Sequence, residues 1–200
     1  MKKIGFLSFG HWTPSPQSET QSASDALLQS IDLAIEAERL GMDGAYFRVH
    51  HFARQLASPF PLLAAIGAKT KRIEIGTAVI DMRYENPHYM VEDAGAADLI
   101  AGGRLQLGIS RGSPEQVIDG WRYFGYEPTG GETDADIGRR HAKHFSTFCR
   151  VRASPGLTHI RCFPIHRASS ALSLTLKDCE IASGGVRPRT QLPPGQQSWE

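Results

Sequence analysis

The sequence predicts an α/β fold made of parallel strand–helix units over residues 1–145. Short apolar runs of strand length alternate with segments of helical periodicity through this part of the chain. Two architectures are built from such units, the doubly wound sheet and the (β/α)8 barrel. The dinucleotide fingerprint G-x-G-x-x-G is absent after the first apolar run, where SFGHWTPSP stands instead. This absence disfavours, without excluding, a nucleotide-binding doubly wound sheet.

Four apolar runs are predicted to form adjacent parallel strands. They cover residues 4–9, 44–49, 73–79 and 105–109. The apolar part of MKKIGFLSFGHW is too short for a signal peptide and indicates a first strand instead. RIEIGTAVI, which contains the third strand, is rich in β-branched residues. Because the carboxyl ends of parallel strands meet at one edge, the residues that follow each run are expected to converge there.

Helical segments separate these strands. The first, SASDALLQSIDLAIEAERLG, is expected to have Ser24 as its N-cap, and FPLLAAIGAKT forms a second, short helix. In the third helix, Asn86 is the predicted cap, Pro87 takes the first position, and Gly102 ends it. After the fourth strand, SPEQVIDGWRYFG is predicted to open a helix capped by Ser113, and TDADIGRRHAKHF begins one more.

The chain changes character after about residue 145. The remaining segment has no sustained period, its Arg, Ser and Pro are scattered, and it contains all three cysteines. A natural linker is poor in cysteine and aromatic residues, and this segment is not. The sequence therefore predicts a folded domain over 1–145 and an irregular tail over 146–200. A tail translated in the wrong reading frame is favoured over an irregular, disordered extension.

Composition excludes several classes of function. The net charge of +1 gives no electrostatic argument for binding nucleic acid or an anionic membrane. No run of about 18 apolar residues is present, so no membrane span is predicted. The cysteines are odd in number and lack C-x-x-C spacing, which disfavours a disulfide framework or a zinc site. We expect a reducing, cytoplasmic setting.

Two adjacent histidines end the second predicted strand, in YFRVHHF. Successive side chains of a strand point to opposite faces, so His50 and His51 cannot both face one pocket while the strand persists. No metal site is therefore predicted from this pair. One histidine is expected to face the pocket, where it can move protons near neutral pH. The alternative is that both are structural.

Two further segments at strand ends could bind a ligand. In SRGSPEQV, Ser110, Arg111 and a helix amino terminus suit an anion such as phosphate. The alternative reading of this segment is ordinary helix initiation. In GTAVI, the small side chains of Gly76, Thr77 and Ala78 would allow a flat ring system to lie against the backbone, although strand core is the simpler explanation for the residues that follow.

Taken in order, these segments resemble the bacterial luciferase-like family of flavin-dependent monooxygenases. The segments that carry the resemblance are GMDGAYFRVHHF, LLAAIGAKTKRIEIGTAVI and NPHYMVEDAGAADLIAGGRLQLGISRG. The match covers residues 1–145 and implies the N-terminal half of a (β/α)8 TIM barrel, formed by four parallel βα units. It further implies that reduced FMN binds at the strand ends, reacts with dioxygen there, and is supplied by a flavin reductase.

The resemblance also implies roles for individual residues. His50 corresponds to the active-site histidine of the family. Thr77, Ala78 and Val79 match the segment behind the flavin ring, where luciferases have an unusual cis peptide. Ser110 falls where luciferase has a reactive cysteine. A further match is Arg111, which corresponds to a contact with the flavin phosphate.

Two departures from the family pattern affect these expectations. The family often has Glu before the histidine pair, whereas Val49 stands there in this chain, which affects the orientation or charge of His50. A complete barrel of the family also needs well over about 250 residues, and a half barrel leaves sheet edges unpaired. The expected function is a flavin-dependent monooxygenase acting on a small-molecule substrate, truncated and weakly active or inactive, from a family whose full-length members form homodimers. The alternatives are a non-catalytic flavin-binding protein and an oxidoreductase dependent on the deazaflavin F420.

Overall fold

A single parallel sheet forms the centre of the protein. In this computed structural model, the structure describes residues 3–110, 117–151 and 161–164. The sheet has the order β1-β2-β3-β4-β5, and each neighbouring pair is parallel. The strands are β1 (Gly5–Ser8), β2 (Gly44–Phe47), β3 (Glu74–Asp81), β4 (Leu105–Ser110) and β5 (Arg161–Pro164). The four predicted strands are confirmed as adjacent and parallel.

Helices connect consecutive strands and pack on one side of the sheet. They are α1 (Ala23–Arg39), α2 (Pro59–Lys69), α3 (Pro87–Ala101) and α4 (Asp134–Val151), with a short 3₁₀ helix at Gly120–Phe124. Helix α3 begins as predicted, since the Asn86 side chain accepts the backbone N–H groups of His88 and Tyr89 at 3.0 and 3.2 Å. It ends at Gly102, whose φ of 64° is left-handed.

The predicted cap of α1 was wrong. The N-cap is Ser22, whose hydroxyl accepts the backbone N–H of Asp25 at 3.2 Å. The Asp25 carboxylate in turn accepts the backbone N–H of Ser22 at 2.9 Å, which completes a capping box. Ser24 lies inside the first turn of the helix. The reciprocal bond selects Ser22, because only Ser22 has a carboxylate three residues later.

The part of the chain after β4 differs from the prediction in three ways. Ser113 and the start of the helix predicted there lie outside the described residues, and residues 120–124 form a 3₁₀ helix. Helix α4 continues to Val151, past the predicted boundary at residue 145. Strand β5 pairs in parallel with β4 inside the segment predicted to be irregular. The rest of the predicted tail lies outside the described residues, and its division from the domain stays a prediction.

The strands divide their side chains between two faces. On β4, Leu105, Leu107 and Ile109 belong to the apolar core that includes the helices. By the alternation of a strand, Gln106, Gly108 and Ser110 therefore lie on the opposite face. On β3, Ile75 packs in the same helix-side core, so Gly76 and Ala78 lie on the opposite face by the same alternation. We call this second side the inner face of the sheet.

Among the described residues, no helix has both the length and the apolar character needed to cross a membrane.

Candidate functional site

The two adjacent histidines lie just beyond the carboxyl end of β2. This strand ends at Phe47 rather than at the predicted residue 49, so strand alternation does not by itself orient the two rings. Val49, which precedes them, is buried in the helix-side core. The two imidazoles nevertheless have different surroundings, because different loops contact each of them.

His50 is half-buried and is held at both its backbone and its ring. Its backbone N–H donates to the Leu56 carbonyl at 2.9 Å. The Arg48 Nε–H donates to the ring Nε2 at 2.6 Å. Burial lowers the pKa of His50, the Arg48 charge and His11 lower it further, and Asp81 opposes them. His50 is therefore a neutral imidazole at the strand-end edge.

His51 lies instead within a group of aromatic rings. Its ring centroid is 4.7 Å from that of Tyr84 and 4.9 Å from that of Phe124. Phe52 adds a third ring at 6.5 Å, with a left-handed φ of 58°. The Nε2 atom of His51 is buried and has no hydrogen-bond partner among the described residues. These contacts fit the predicted packing role of one of the two histidines.

A buried carboxyl group, Glu85, lies beside His51. Its Oε1 is 4.0 Å from the His51 Nε2, which is too long for a hydrogen bond. Burial raises the pKa of Glu85 to about 7, with further contributions from Asp81 and Asp93. Burial also lowers the pKa of His51. Because both shifts favour the uncharged forms, the contact is not an ion pair of two fully charged groups.

The predicted residues of β3 lie side by side, but they do not all present a free side chain. The Thr77 hydroxyl donates to the Gly108 carbonyl at 3.0 Å and accepts the Gly108 N–H at 3.1 Å. Thr77 is therefore occupied in joining β3 to β4. The Ala78–Val79 peptide bond is cis, at the position where the resemblance implies one. The pairing register of β3 and β4 shifts between Thr77 and Ile80.

The inner face beside this shift is built from residues with small side chains. A methyl group added at Gly76 would lie 1.9 Å from the Gln106 carbonyl oxygen. One added at Gly108 would lie 2.5 Å from the Thr77 carbonyl oxygen and 3.0 Å from a Val79 methyl group. The close approach of β3 and β4 therefore requires glycine at both positions. Both glycines are buried and Ala78 is half-buried, so this surface of the sheet has few side-chain atoms.

Polar groups border this surface. Ser110 is half-buried, and its hydroxyl makes a long contact of 3.4 Å with the Ile80 carbonyl, its one side-chain hydrogen bond among the described residues. The Gln106 Oε1 is buried without a hydrogen-bond partner among the described residues. A flat ring with hydrogen-bonding edges, such as a flavin, fits a small-residue surface with such groups beside it. Arg111, the predicted phosphate contact, lies outside the described residues.

Sequence reasoning missed a buried ionic network behind the site. Arg83 is 4% exposed and donates from Nε and Nη2 to both carboxylate oxygens of Asp81. Its Nη1 donates to Asp134 at the start of α4. The signal in the sequence was DMRYE, in which charged residues alternate directly after an apolar strand. No group of three or more potential metal ligands occurs within the ranges that the structure describes.

Comparison with known proteins identifies the family. A sequence model of the luciferase-like monooxygenases matches residues 7–137. The uncharacterized protein YwcH of Bacillus subtilis (strain 168) is 34% identical over 124 residues, which are 61% of this chain and 36% of that protein. This chain thus spans about a third of the length of that curated relative.

Two solved structures share the fold. The oxygenating constituent of 3,6-diketocamphane monooxygenase from Pseudomonas putida, a type II Baeyer–Villiger monooxygenase in complex with FMN, superposes with a TM-score of 0.61 at 21% identity, over 74% of this chain and 39% of that one. An F420-dependent secondary alcohol dehydrogenase with an F420–acetone adduct gives a TM-score of 0.52 at 22% identity, over 76% and 42%. The parallel strands and the helices on one side of the sheet agree with the sequence match, which covers most of the described domain. The chain therefore belongs to the luciferase-like monooxygenase family.

Proposed function

We propose that this chain carries the cofactor-binding part of a flavin-dependent monooxygenase, which uses reduced FMN and dioxygen to oxygenate a small organic molecule. The observation that carries the proposal is the position of neutral His50 at the same strand-end edge as the small inner face of β3 and β4. Family membership and the FMN complex of the diketocamphane enzyme support it.

In this proposal the inner face binds the flat ring of the cofactor. Ala78 and Gly108 would contact its face, and the Ser110 hydroxyl and the Gln106 amide would meet polar atoms at its edge. Arg111 would bind the phosphate as a bidentate donor. When bound, the reduced flavin supplies the two electrons with which dioxygen is activated.

His50 would serve the reaction from the edge of this surface. A neutral imidazole near physiological pH keeps a proton on one ring nitrogen, which it can donate in a hydrogen bond. His51 would support the site by packing, because its ring is enclosed by Tyr84 and Phe124. The proposal further includes a flavin reductase as the source of reduced flavin, a homodimer as the assembled form, and a cytoplasmic location. The description of the diketocamphane protein as an oxygenating constituent supports the reductase.

A second candidate is an oxidoreductase that binds the deazaflavin F420 on the same surface. The F420-dependent dehydrogenase, which shares the fold, favours it. Both cofactors have a flat tricyclic ring, so the described residues do not discriminate between them. The third candidate is a protein that binds flavin without catalysing a reaction. It differs from the proposed monooxygenase only in having no turnover.

Titration separates these candidates. FMN and F420 are each added to the purified chain, and saturable quenching of cofactor fluorescence is measured. We expect FMN to bind, and Ala78→Leu to weaken binding at least tenfold because the larger side chain fills the inner face. The matched control is Ala23→Leu, on the exposed start of α1, which should bind as the unsubstituted chain does.

The outcomes are distinct. Binding of F420 alone would select the deazaflavin reading, and binding of neither cofactor would contradict the proposal. FMN binding that Ala78→Leu leaves unchanged would place the ring elsewhere. Oxygen consumption with reduced FMN, a reductase and NADH then distinguishes an enzyme from a flavin-binding protein.

A further inference from the structure

The ring of His50 accepts a hydrogen bond from a group that can only donate. The Arg48 Nε–H points at the His50 Nε2 across 2.6 Å. A guanidinium has no acceptor, and an imidazolium has no free lone pair, so this bond requires a neutral ring with its proton on Nδ1. We propose that Arg48 is a positioning residue that fixes this tautomer of His50 and leaves its Nδ1–H as the donor that a ligand can meet. The inference rests on the proposed function, in which His50 borders the cofactor.

Arg48 is held in place independently of His50. Its backbone N–H donates to the Ser8 carbonyl at 2.9 Å, which extends the pairing of β1 with β2. Its guanidinium lies over the ring of Phe9, 5.1 Å from the centroid, a distance at which a cation is attracted to an aromatic face. The donor is thus anchored by backbone and by an aromatic ring, so its direction does not depend on the imidazole.

His50 is also anchored independently. The bond from its backbone N–H to the Leu56 carbonyl fixes the main chain at 2.9 Å. With the main chain and Nε2 both held, the ring has little freedom to turn about its side-chain bonds. The contact therefore sets orientation as well as protonation, as an orienting group does for a histidine in an active site.

The charged groups around His50 come from three parts of the chain. Arg48 lies just before it, His11 follows β1, and Asp81 ends β3. Asp81 favours the imidazolium, but Arg83 already holds its two carboxylate oxygens. His11 is held by the Gln55 side-chain amide at 3.0 Å. Burial and Arg48 outweigh Asp81, and the pKa of His50 falls.

The fixed tautomer restricts what His50 can do. Nε2 cannot accept a proton until the Arg48 bond breaks, and a neutral imidazole does not readily release its only proton. In the resting site, His50 therefore donates a hydrogen bond through Nδ1 to an oxygen or nitrogen acceptor of the bound ligand. Two isosteres separate this role from base catalysis. The amide of His50→Asn can donate from near the Nδ1 position, whereas that of His50→Gln reaches the Nε2 position.

Nuclear magnetic resonance of the chain labelled with ¹⁵N-histidine tests the tautomer directly. Long-range ¹H–¹⁵N correlations distinguish a protonated from an unprotonated ring nitrogen, and His50→Gln identifies the resonances of His50. We expect an unprotonated Nε2 and a protonated Nδ1 at pH 7. Arg48→Met should shift the population toward the Nε2–H tautomer and raise the pKa of His50, while Arg48→Lys should restore the original tautomer with its ammonium donor. Arg54→Met is the matched control, since Arg54 also lies over an aromatic ring, that of Trp12 at 5.4 Å.

The results separate the inference from the proposed function. A protonated Nε2 in the unsubstituted chain, or a tautomer unchanged by Arg48→Met, would overturn the role of Arg48 whatever the turnover. Circular dichroism of Arg48→Met must match that of Arg54→Met, which shows that the change is not unfolding. If the tautomer responds as expected but His50→Ala turns over normally, the proposed role of His50 is wrong and the Arg48–His50 arrangement stands. Greater turnover in His50→Asn than in His50→Gln supports hydrogen-bond donation, and equal loss in both contradicts it.

Discussion

Arg83 holds both carboxylate oxygens of Asp81, with Nε 3.1 Å from Oδ1 and Nη2 2.7 Å from Oδ2. The two residues are 4% and 7% exposed. A buried pair of this kind contributes less to net stability than its geometry suggests, because both charges lose their hydration. Removing one partner is costly, since the other charge stays buried.

Arg83→Met should therefore destabilise the protein by about 3–5 kcal/mol, measured as a lower midpoint of urea unfolding. The double variant Asp81→Asn/Arg83→Met should recover part of this loss, because no uncompensated buried charge remains; the Asp134 carboxylate that also loses Arg83 is 47% exposed. The control is Arg122→Met, which removes the exposed pair with Glu127 and should change stability by at most about 1 kcal/mol. Equal effects of the two arginine substitutions would show that the Asp81 charge is not buried in solution.

The two histidines should respond differently to truncation. His50→Ala is expected to lower turnover with saturating reduced flavin by at least about 100-fold, while FMN affinity stays within a few-fold. His51→Ala should act mainly through stability, because its ring packs against Tyr84 and Phe124. The measurements are steady-state turnover and a flavin titration for each variant, in a form of the protein that turns over. Near-normal turnover in His50→Ala would return both histidines to structural roles.

Stability should depend on pH through Glu85. The pKa of its carboxyl is about 7 in the folded protein against 4.5 as the ordinary value, so the folded state retains a proton that the unfolded state releases. Unfolding free energy therefore falls as pH rises from about 4.5 to about 7, by on the order of 3 kcal/mol. Glu85→Gln removes this dependence.

The measurement is the difference in urea midpoint between Glu85→Gln and the unsubstituted chain at pH 5 and pH 8. The other titratable groups are present in both proteins, so their contributions to the pH dependence of stability cancel. The difference between the two midpoints therefore measures the contribution of Glu85 alone. We expect the variant to gain relative stability at pH 8. An unchanged difference across this range would mean that the carboxyl is hydrated when the protein is folded.

The cap of α1 offers a paired test on neighbouring serines. Ser22→Ala removes the hydroxyl that accepts the Asp25 N–H and should lower stability by about 1 kcal/mol. Ser24→Ala lies within the exposed first turn and should change stability by less than about 0.5 kcal/mol. Thermal unfolding of the two variants measures both effects, and the reverse order would restore Ser24 as the cap.

Local patterns in the sequence were sufficient for the order of strands and helices. Apolar runs and caps such as Asn86 act within a few residues, so β1 to β4 and α3 could be predicted. The capping box of Ser22 is also local, since its Asp25 partner lies three residues later, whereas Ser24 lies nearer to the first apolar residue of the helix and has no such partner. The end of β2 at Phe47 could not be predicted from the sequence, because the apolar run continues through Val49 although the strand has already ended.

Contacts between distant segments were not predictable. Arg83 meets Asp134 across 51 positions of sequence, and no periodicity connects them. The aromatic surroundings of His51 come from Tyr84 in the loop after β3 and from Phe124 in the 3₁₀ helix. Arg48 was visible in the sequence, yet its bond to His50 depends on where the chain leaves β2. The sequence thus predicted which residues lie at the strand ends. Their protonation and packing depend on contacts between distant segments, which only the three-dimensional structure shows.

The small inner face of β3 and β4 has a thermodynamic consequence for any flat ligand that binds there. Gly76 and Gly108 have no side chain. Ala78 has only a methyl group, and rotation of that group does not change the shape of the surface. Immobilising a long side chain on binding costs about 0.5–1.5 kcal/mol in lost rotamers, and Gln106, the long side chain on this face of β4, is already buried at 3% exposure. The ladder of β3 and β4, with the Thr77 hydroxyl bonded to Gly108, sets its shape before any ligand arrives. Ligand affinity at this surface should therefore show little entropic penalty from the protein.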